Sequence, residues 1–394
     1  MVSGSRAAKA GARRRLRLGM VGGGQGAFIG AVHRIAARLD DRYELVAGAF
    51  SSTPERSKAS GVELGVEAAR CYGSFEEMAA AEKGRSDGID VVAIVTPNHV
   101  HYPAAKAFLE RGIHVICDKP LTTNLEDARK LAELVNRSGC VFVLTHNYTG
   151  YPMVRQARQM IQDGVLGKIR VVQAEYAQDW LTTKLEDTGQ KQAEWRTDPA
   201  RSGPAGCTGD IATHAMNLAC FMTGLELDSL AADLTTFVPG RPLDDNTHVM
   251  LRFKGGAKGM LWASQVAPGN ENNLRIRIYG EKGGLTWAQE DPNYLHHAPF
   301  GEPPRLIRRG GAGADAVAAR VTRIPAGHPE GYLEGFANLY RDAAELIWAK
   351  LESRAPDPGA LLVPTVQDGV AGVAFIEAVV KSSKQNGAWV EVTG

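Results

Sequence analysis

Between Leu16 and about Thr145 the chain alternates short apolar runs with longer amphipathic stretches. The apolar runs are rich in β-branched residues and show no polar alternation: LRLGMV, YELVAGAF, IDVVAIV, IHVIC and CVFVLT. Stretches with helical periodicity separate them. Strands that are apolar on both faces and alternate with helices predict a parallel sheet covered on both sides. Residues 16–147 are therefore predicted to form a doubly wound Rossmann domain in an α/β protein.

After Tyr148 the pattern changes. One helix (PMVRQARQMIQDGVLG) leads into a strand (KIRVVQAEYAQDW), and a second helix is predicted from about Asp210 to Thr223. Strand-like segments then follow one another: LAADLTTFV, HVMLRFKGG, AKGMLWASQV and NLRIRIYGEKGGLTWAQ. The stretch 299–329 predicts a long loop, and two helices are predicted to close the chain. We therefore predict that residues 148–394 form a second α/β domain, with a large, open, mostly antiparallel sheet.

Composition narrows the classes of function. The 394 residues are 44% hydrophobic and 23% charged, and a formal net charge of +1 creates no field that would attract nucleic acid or a membrane surface. Five scattered cysteines without a CxxC pair predict a cytoplasmic protein with reduced thiols. The basic residues 1–15 are predicted to be a disordered tail, and no membrane span is expected. His296 and His297 lack ligand spacing, so no metal is predicted.

The stretch MVGGGQGAFIGAVHR follows the first predicted strand and opens the first helix. It contains G-x-G-x-x-A as Gly22, Gly24 and Ala27. In that setting glycine lets the backbone approach a pyrophosphate, which binds at the helix N-terminus. A bare flexible turn is the alternative, but the strand and helix around the motif favour a dinucleotide. Gly26 and Phe28 complete the candidate residues of this loop.

The end of the second predicted strand bears on the choice of cofactor. An acidic residue is expected there when the ribose diol of NAD is bound, but the sequence is FSSTPERSK. Ser51, Ser52 and Arg56 could accept either that diol or the 2′-phosphate of NADP. We predict NAD(H) as cofactor and leave NADP(H) open.

Polar residues also follow the next two strands, at the edge where open sheets bind ligands. VTPNHVHYPAA supplies Thr96, Pro97, Asn98 and His101, although Asn98 could simply cap the following helix. IHVICDKPLTT supplies Asp118 and Lys119. An ammonium at that edge can hydrogen-bond a hydroxyl and stabilise a developing alkoxide.

The segment GCTGDIATHAMNLAC places Asp210 and His214 four residues apart, on one face of a helix. A neutral histidine can accept a hydroxyl proton, and a nearby carboxylate can orient it and stabilise its charged form. The alternative is a helix-capping aspartate beside a core histidine.

Taken in order, the glycine stretch, TPNHVHYPAA, CDKPLTT and GDIATHAMN resemble the GFO/IDH/MocA family of sugar and inositol oxidoreductases. The resemblance runs from Leu16 to the end of the chain. It implies that Lys119, Asp210 and His214 are catalytic, with His214 as proton acceptor and Lys119 in contact with both the reacting hydroxyl and the cofactor. A turn of this kind predicts a cis Lys119–Pro120 bond.

Two features depart from the family. Asp118 stands where the family usually has glutamate, and its expected contact near the nicotinamide ribose is therefore less secure. The glycine loop is longer than the common form, with Phe28, Ile29 and Gly30 before the helix, so the third glycine position stays undecided. Long loops of this kind resemble a subgroup close to inositol dehydrogenases and to enzymes that oxidise a pyranose ring hydroxyl.

The segment that joins the domains adds Asn147 to the cofactor site. Besides the three catalytic residues, the predicted substrate contacts are Tyr148, Tyr176, Trp180, Trp195 and Arg196, although the tryptophans could instead pack between domains. We expect an NAD(P)-dependent dehydrogenase acting on a sugar, glycoside or inositol. The alternatives are a redox-neutral, NAD-dependent glycosidase and a non-catalytic dinucleotide sensor. An uncovered sheet face predicts a homodimer or homotetramer.

Overall fold

The computed structural model describes residues 13–393, and its first sheet is formed by the predicted apolar runs. The strands are β1 (Leu16–Gly22), β2 (Tyr43–Ala49), β3 (Val91–Val95), β4 (His114–Cys117) and β5 (Phe142–Leu144). They are parallel, in the order β2-β1-β3-β4-β5. The helices are α1 (Phe28–Leu39), α2 (Pro54–Glu63), α3 (Phe75–Gly84), α4 (His101–Leu109) and α5 (Leu125–Ser138). The predicted Rossmann fold is confirmed, and all five strands end at one edge.

The second sheet has nine strands. They are β6 (Ile169–Ala177), β7 (Leu227–Thr235), β8 (Asn246–Phe253), β9 (Lys258–Ser264), β10 (Asn273–Gly280), β11 (Gly283–Ala288), β12 (Tyr294–Pro299), β13 (Arg305–Arg308) and β14 (Val390–Glu391). Their order is β13-β12-β11-β10-β6-β9-β8-β7-β14, and β6 and β9 are the only parallel neighbours among the described strands of this second sheet. The predicted mostly antiparallel sheet is confirmed.

Helices cover one face of this sheet and leave the other open. Helices α6 (Pro152–Gln162) and α9 (Thr213–Thr223) pack on the covered face. Along the chain, α7 (Lys191–Arg196), α8 (Pro199–Ser202) and a π-helical turn (Thr208–Ala212) lie between them. On the open face, Met250 and Met260 are 60% and 53% exposed. The predicted loop over 299–329 is wrong in part, because β13 pairs with β12 and α10 (Ala316–Arg320) is capped by the side chain of Asp315.

The last two long helices, α11 (Tyr332–Leu351) and α12 (Val366–Lys384), return to the Rossmann domain. Helix α11 packs on α1. Helix α12 places Val370 and Val373 in the Rossmann core, and Phe375 and Val379 in the core under the second sheet. The segment 358–384 is long and apolar enough to span a membrane, but 56% of its most apolar window is buried, as in the core helix of a globular protein.

The start of the described chain is held by ion pairs. Arg13 pairs with Glu352 at 2.7 Å, and Arg14 pairs with Asp90 at 2.6 Å. Arg15 also pairs with a carboxylate, on Asp41. These three arginines belong to the predicted tail, whose residues 1–12 lie outside the described residues.

Candidate active site

The glycine loop after β1 is packed against the ends of two strands. Gly22 has φ +79°, and a Cβ there would lie 2.8 Å from the Val95 carbonyl oxygen. A Cβ on Gly24 would lie 2.6 Å from the carbonyl oxygen of Phe50 and equally close to Ser60 Oγ. Glycine is therefore required at both positions, as in a loop whose backbone approaches a ligand.

Gly30 fills the third glycine position. It lies in the first turn of α1, and a Cβ there would lie 2.3 Å from Gly23 Cα. Close packing of the helix on the loop is the role of the third glycine in dinucleotide-binding folds. Ala27, which G-x-G-x-x-A would place there, is instead the N-cap residue of α1. An alanine cannot cap with its side chain, so the first N–H groups of α1 are left for a ligand.

A cleft of about 1400 Å³ lies between the two domains, at the carboxyl edge of the parallel sheet. Most of the predicted site residues line it. The cofactor candidates in its wall are Gly22, Gly24, Ala27, Phe28, Ser51, Ser52, Arg56, Thr96, Pro97, Asn98, Asp118, Lys119 and Asn147. The substrate candidates there are Tyr148, Tyr176, Trp180, Trp195, Arg196, Asp210 and His214.

Two predicted cofactor contacts do not line this cleft. Gly26 borders a separate groove beside α1. His101 is fully buried, and its ring nitrogens lie 2.7 Å from the Pro120 carbonyl oxygen and 3.0 Å from that of Thr96. His101 therefore supports the two strand-end loops from behind, including the cis Lys119–Pro120 bond.

Lys119 and Asp210 form an ion pair in the cleft wall. The Nζ atom of Lys119 lies 3.0 Å from Asp210 Oδ1 and also donates to the Asp210 carbonyl oxygen. Asp210 Oδ2 accepts from Gln265 Nε2 at 2.9 Å and from Arg196 Nε at 3.2 Å. Burial raises the pKa of Asp210, but Lys119 and Arg196 outweigh it and hold this pKa well below its usual range. Asp210 is therefore an anion that fixes the lysine.

His214 lies beside this pair but is not hydrogen-bonded to it. Asp210 lies in the π-helical turn before α9, and its carboxylate bonds to Lys119, Arg196 and Gln265, so its effect on His214 is electrostatic. Within the described chain, His214 Nδ1 has no hydrogen-bond partner. Burial and the charge of Lys119 lower the pKa of His214 well below its usual value. The imidazole is therefore neutral and can accept a proton.

The nucleotide side of the cleft fits a dinucleotide. Thr96 Oγ1 and Asn147 Nδ2 are buried and find no hydrogen-bond partner among the described residues. Buried polar atoms are rarely left unpaired, so these two indicate groups that bond to a ligand. Together with the glycine loop and the open end of α1, they provide contacts for phosphate, ribose and amide groups.

The substrate side is lined by a hydrogen-bonded network. The hydroxyls of Tyr148 and Tyr176 lie 2.6 Å apart, and Tyr176 donates to Asn272 Oδ1 at 2.7 Å. Gln178 also donates to Asn272 and accepts from Trp180 Nε1. Sequence reasoning missed Asn272 and Gln178, because each is a single polar residue near a strand end, outside any motif.

Arg196, a predicted substrate contact, lines the cleft and also makes contacts within the protein. Its guanidinium bonds to Asp210 and lies 4.3 Å from the ring centroid of Trp195. Both contacts are made within the protein. The structure therefore gives Arg196 a part in holding the Asp210 carboxylate.

Comparison with known proteins finds family models that match both domains. Residues 16–148 match the model of an oxidoreductase family with an NAD-binding Rossmann fold, and residues 154–286 match the GFO/IDH/MocA C-terminal domain. A levoglucosan dehydrogenase of Pseudarthrobacter phenanthrenivorans is 29% identical, over 96% of this chain and 98% of its own length.

Two solved structures are similar over almost the whole chain. An oxidoreductase from Sinorhizobium meliloti is 60% identical with a TM-score of 0.88, over 96% of this chain and 100% of that one. An inositol dehydrogenase homolog from Azotobacter vinelandii, complexed with NADH and myo-inositol, is 37% identical with a TM-score of 0.89, over 96% and 98% of the two chains.

Proposed function

Since this chain belongs to the GFO/IDH/MocA family of NAD-binding oxidoreductases, we propose that it transfers a hydride between nicotinamide and a secondary hydroxyl carbon of a cyclitol or pyranose sugar. The observation that carries the proposal is the buried cluster of Lys119, Asp210 and His214 in the same cleft as the glycine loop. A neutral base, a fixed cation and a dinucleotide-binding loop are the parts that oxidation of an alcohol requires.

Each residue of the cluster has a separate task. His214 takes the hydroxyl proton, for which its neutral imidazole is suited. Lys119 donates a hydrogen bond to the same oxygen and stabilises the alkoxide that develops there. Asp210 holds Lys119 through Oδ1 while Arg196 and Gln265 hold Oδ2. The nicotinamide, when bound, supplies the hydride acceptor.

The lining favours a neutral polyol as substrate. Tyr176, Asn272, Gln178 and Trp180 present hydroxyl, amide and indole groups around an aromatic wall. Such a surface suits ring hydroxyls and the apolar face of a sugar ring. The bound myo-inositol of the Azotobacter vinelandii homolog and the name of the levoglucosan dehydrogenase support this class.

The test is formation of reduced cofactor with NAD or NADP and a panel of inositols, pyranoses and glycosides. Lys119→Met and His214→Asn should each abolish turnover while NADH still binds. Lys106→Met, on the exposed face of α4, is the matched control and should leave turnover unchanged. Release of a free sugar or aglycone without reduced cofactor would instead establish a redox-neutral glycosidase. NADH binding without conversion of any substrate would establish a sensor.

We also propose a homodimer or homotetramer that associates through the open sheet face, because exposed apolar side chains such as Met250 and Met260 lie there. All five cysteines are unpaired, which supports a cytoplasmic location.

A further inference from the structure

The two oxygens of Asp118 have different surroundings. Oδ1 accepts a hydrogen bond from Thr145 Oγ1 at 2.6 Å and lies 3.0 Å from His33 Nε2. Among residues 13–393, no group hydrogen-bonds to Oδ2. Asp118 lines the cleft, and 13% of its side chain is exposed. One oxygen is therefore fixed by the protein and the other is available to a ligand.

His33 connects three elements behind the cleft. It lies on α1, is fully buried, and its Nδ1 lies 2.8 Å from the hydroxyl of Tyr340 on α11. Its Nε2 faces Asp118 at the end of β4. The rings of Phe336 and Tyr340 lie 5.0 Å and 5.7 Å from the imidazole and restrict its orientation. The histidine thus links the glycine-loop helix to the residue before Lys119.

The hydrogen bond between His33 and Asp118 joins an N–H donor to an ionised carboxylate. Burial raises the pKa of Asp118, but His33 and Thr145 outweigh it and lower this pKa below its usual value. An ionised carboxylate only accepts hydrogen bonds, so His33 Nε2 carries the proton and donates. A hydrogen bond to a charged acceptor is stronger and more directional than one between neutral groups.

We propose that His33 is a positioning residue for Asp118. With Thr145 it holds Oδ1, so that Oδ2 is presented to the cleft as an acceptor for a hydroxyl group of the bound dinucleotide. Because Asp118 directly precedes Lys119, the same contact fixes the end of the strand that carries the catalytic lysine. This inference rests on the proposed function for the identity of the ligand.

Two substitutions test the hydrogen bonds of the two His33 ring nitrogens one at a time. The amide nitrogen of glutamine can occupy the position of Nε2, whereas the amide of asparagine reaches only the position of Nδ1. His33→Gln therefore retains the bond to Asp118 and loses the bond to Tyr340. His33→Asn does the reverse. Each variant loses one buried hydrogen bond, and His33→Asn should be the less stable of the two in urea unfolding, because the bond that it loses is to a charged acceptor.

The readout is the dissociation constant of NADH, measured by titration of protein fluorescence and repeated by calorimetry. His33→Asn should weaken NADH binding about tenfold or more, as expected for loss of one hydrogen bond to a charged group, while His33→Gln retains most of the affinity. Asp118→Asn should also weaken binding, and the double variant His33→Asn with Asp118→Asn should be no weaker than Asp118→Asn alone.

The inference would be overturned if the two His33 variants lost equal NADH affinity, or if the loss of affinity in His33→Asn added to that in Asp118→Asn. His33 would then be a packing residue. In both cases wild-type protein would still bind NADH and convert substrate, so the proposed function would stand. If wild-type protein bound neither NADH nor NADPH, the proposed function and this inference would both be refuted.

Discussion

Gly30→Ala tests whether α1 must rest directly on the glycine loop. The added Cβ would lie 2.3 Å from Gly23 Cα, 2.6 Å from its carbonyl oxygen and 2.9 Å from its carbonyl carbon. All three are backbone atoms, so no side-chain rotation can relieve the contact. Gly22 and Gly24 on either side are themselves packed against strand ends. The helix must therefore move away from the loop.

Two opposing contributions determine how Gly30→Ala changes the free energy of unfolding. Overpacking costs about 1–3 kcal/mol where side chains can adjust, and a backbone contact belongs at the upper end. Alanine recovers about 1 kcal/mol of helix propensity. We expect a net loss of about 2 kcal/mol in the free energy of unfolding. Displacing the first N–H groups of α1 should also weaken NADH binding by about 2 kcal/mol, or roughly 30-fold.

Urea unfolding followed by circular dichroism measures the first effect, and an NADH titration measures the second. Gly372→Ala is the matched control, because a Cβ at this position in α12 meets no described atom within 4 Å. It should raise stability by about 0.5–1 kcal/mol and leave NADH affinity unchanged. A Gly30→Ala protein with the stability and NADH affinity of the wild type would refute the packing argument.

Three further predictions concern acid stability, assembly and cofactor choice. Burial and Lys350 lower the pKa of His114 to about 4, so below pH 6.5 the unfolded chain binds a proton that the folded chain does not. Protonation of His114 in the unfolded chain should therefore lower the free energy of unfolding by about 2 kcal/mol at pH 5. His114→Asn should remove that loss in urea unfolding, and its amide oxygen can still accept the Val141 N–H. Met260→Asp, on the open sheet, should lower the mass in light scattering without changing the circular dichroism spectrum. Ser51→Asp should weaken NADP(H) binding about tenfold relative to NAD(H), because the carboxylate repels a 2′-phosphate.

The sequence predicts best the site residues that directly follow a strand. Lys119 follows a buried strand, and a parallel sheet brings every such strand end to one edge. Gly22 and Gly24 were located by the same reasoning. The third glycine position is not predictable in this way, because the longer loop changes the spacing of Gly30 from the first two glycines.

Contacts between distant segments could not be located in this way. Gln265 bonds to Asp210 across 55 residues, and His33 pairs with Asp118 across 85. Periodicity shows that a side chain faces inward, but it does not show which partner it meets. The bond of Arg196 to Asp210 is not predictable for the same reason, since a cation near a cleft carries no local sign that it binds a carboxylate of the protein.

Helix α12 belongs to both domains, although it lies in the second half of the sequence. Val373 lies in the Rossmann core, and Phe375, two residues later, lies in the core under the second sheet. Helix α11 adds a second connection, because Tyr340 lies in the core around β1 while Tyr332 also packs against the core under the second sheet. A chain break at residue 148 would therefore leave both cores connected. The segment that carries α7 adds a contact across the cleft, because Lys191 Nζ lies 3.5 Å from the carbonyl oxygen of Gln25 in the glycine loop.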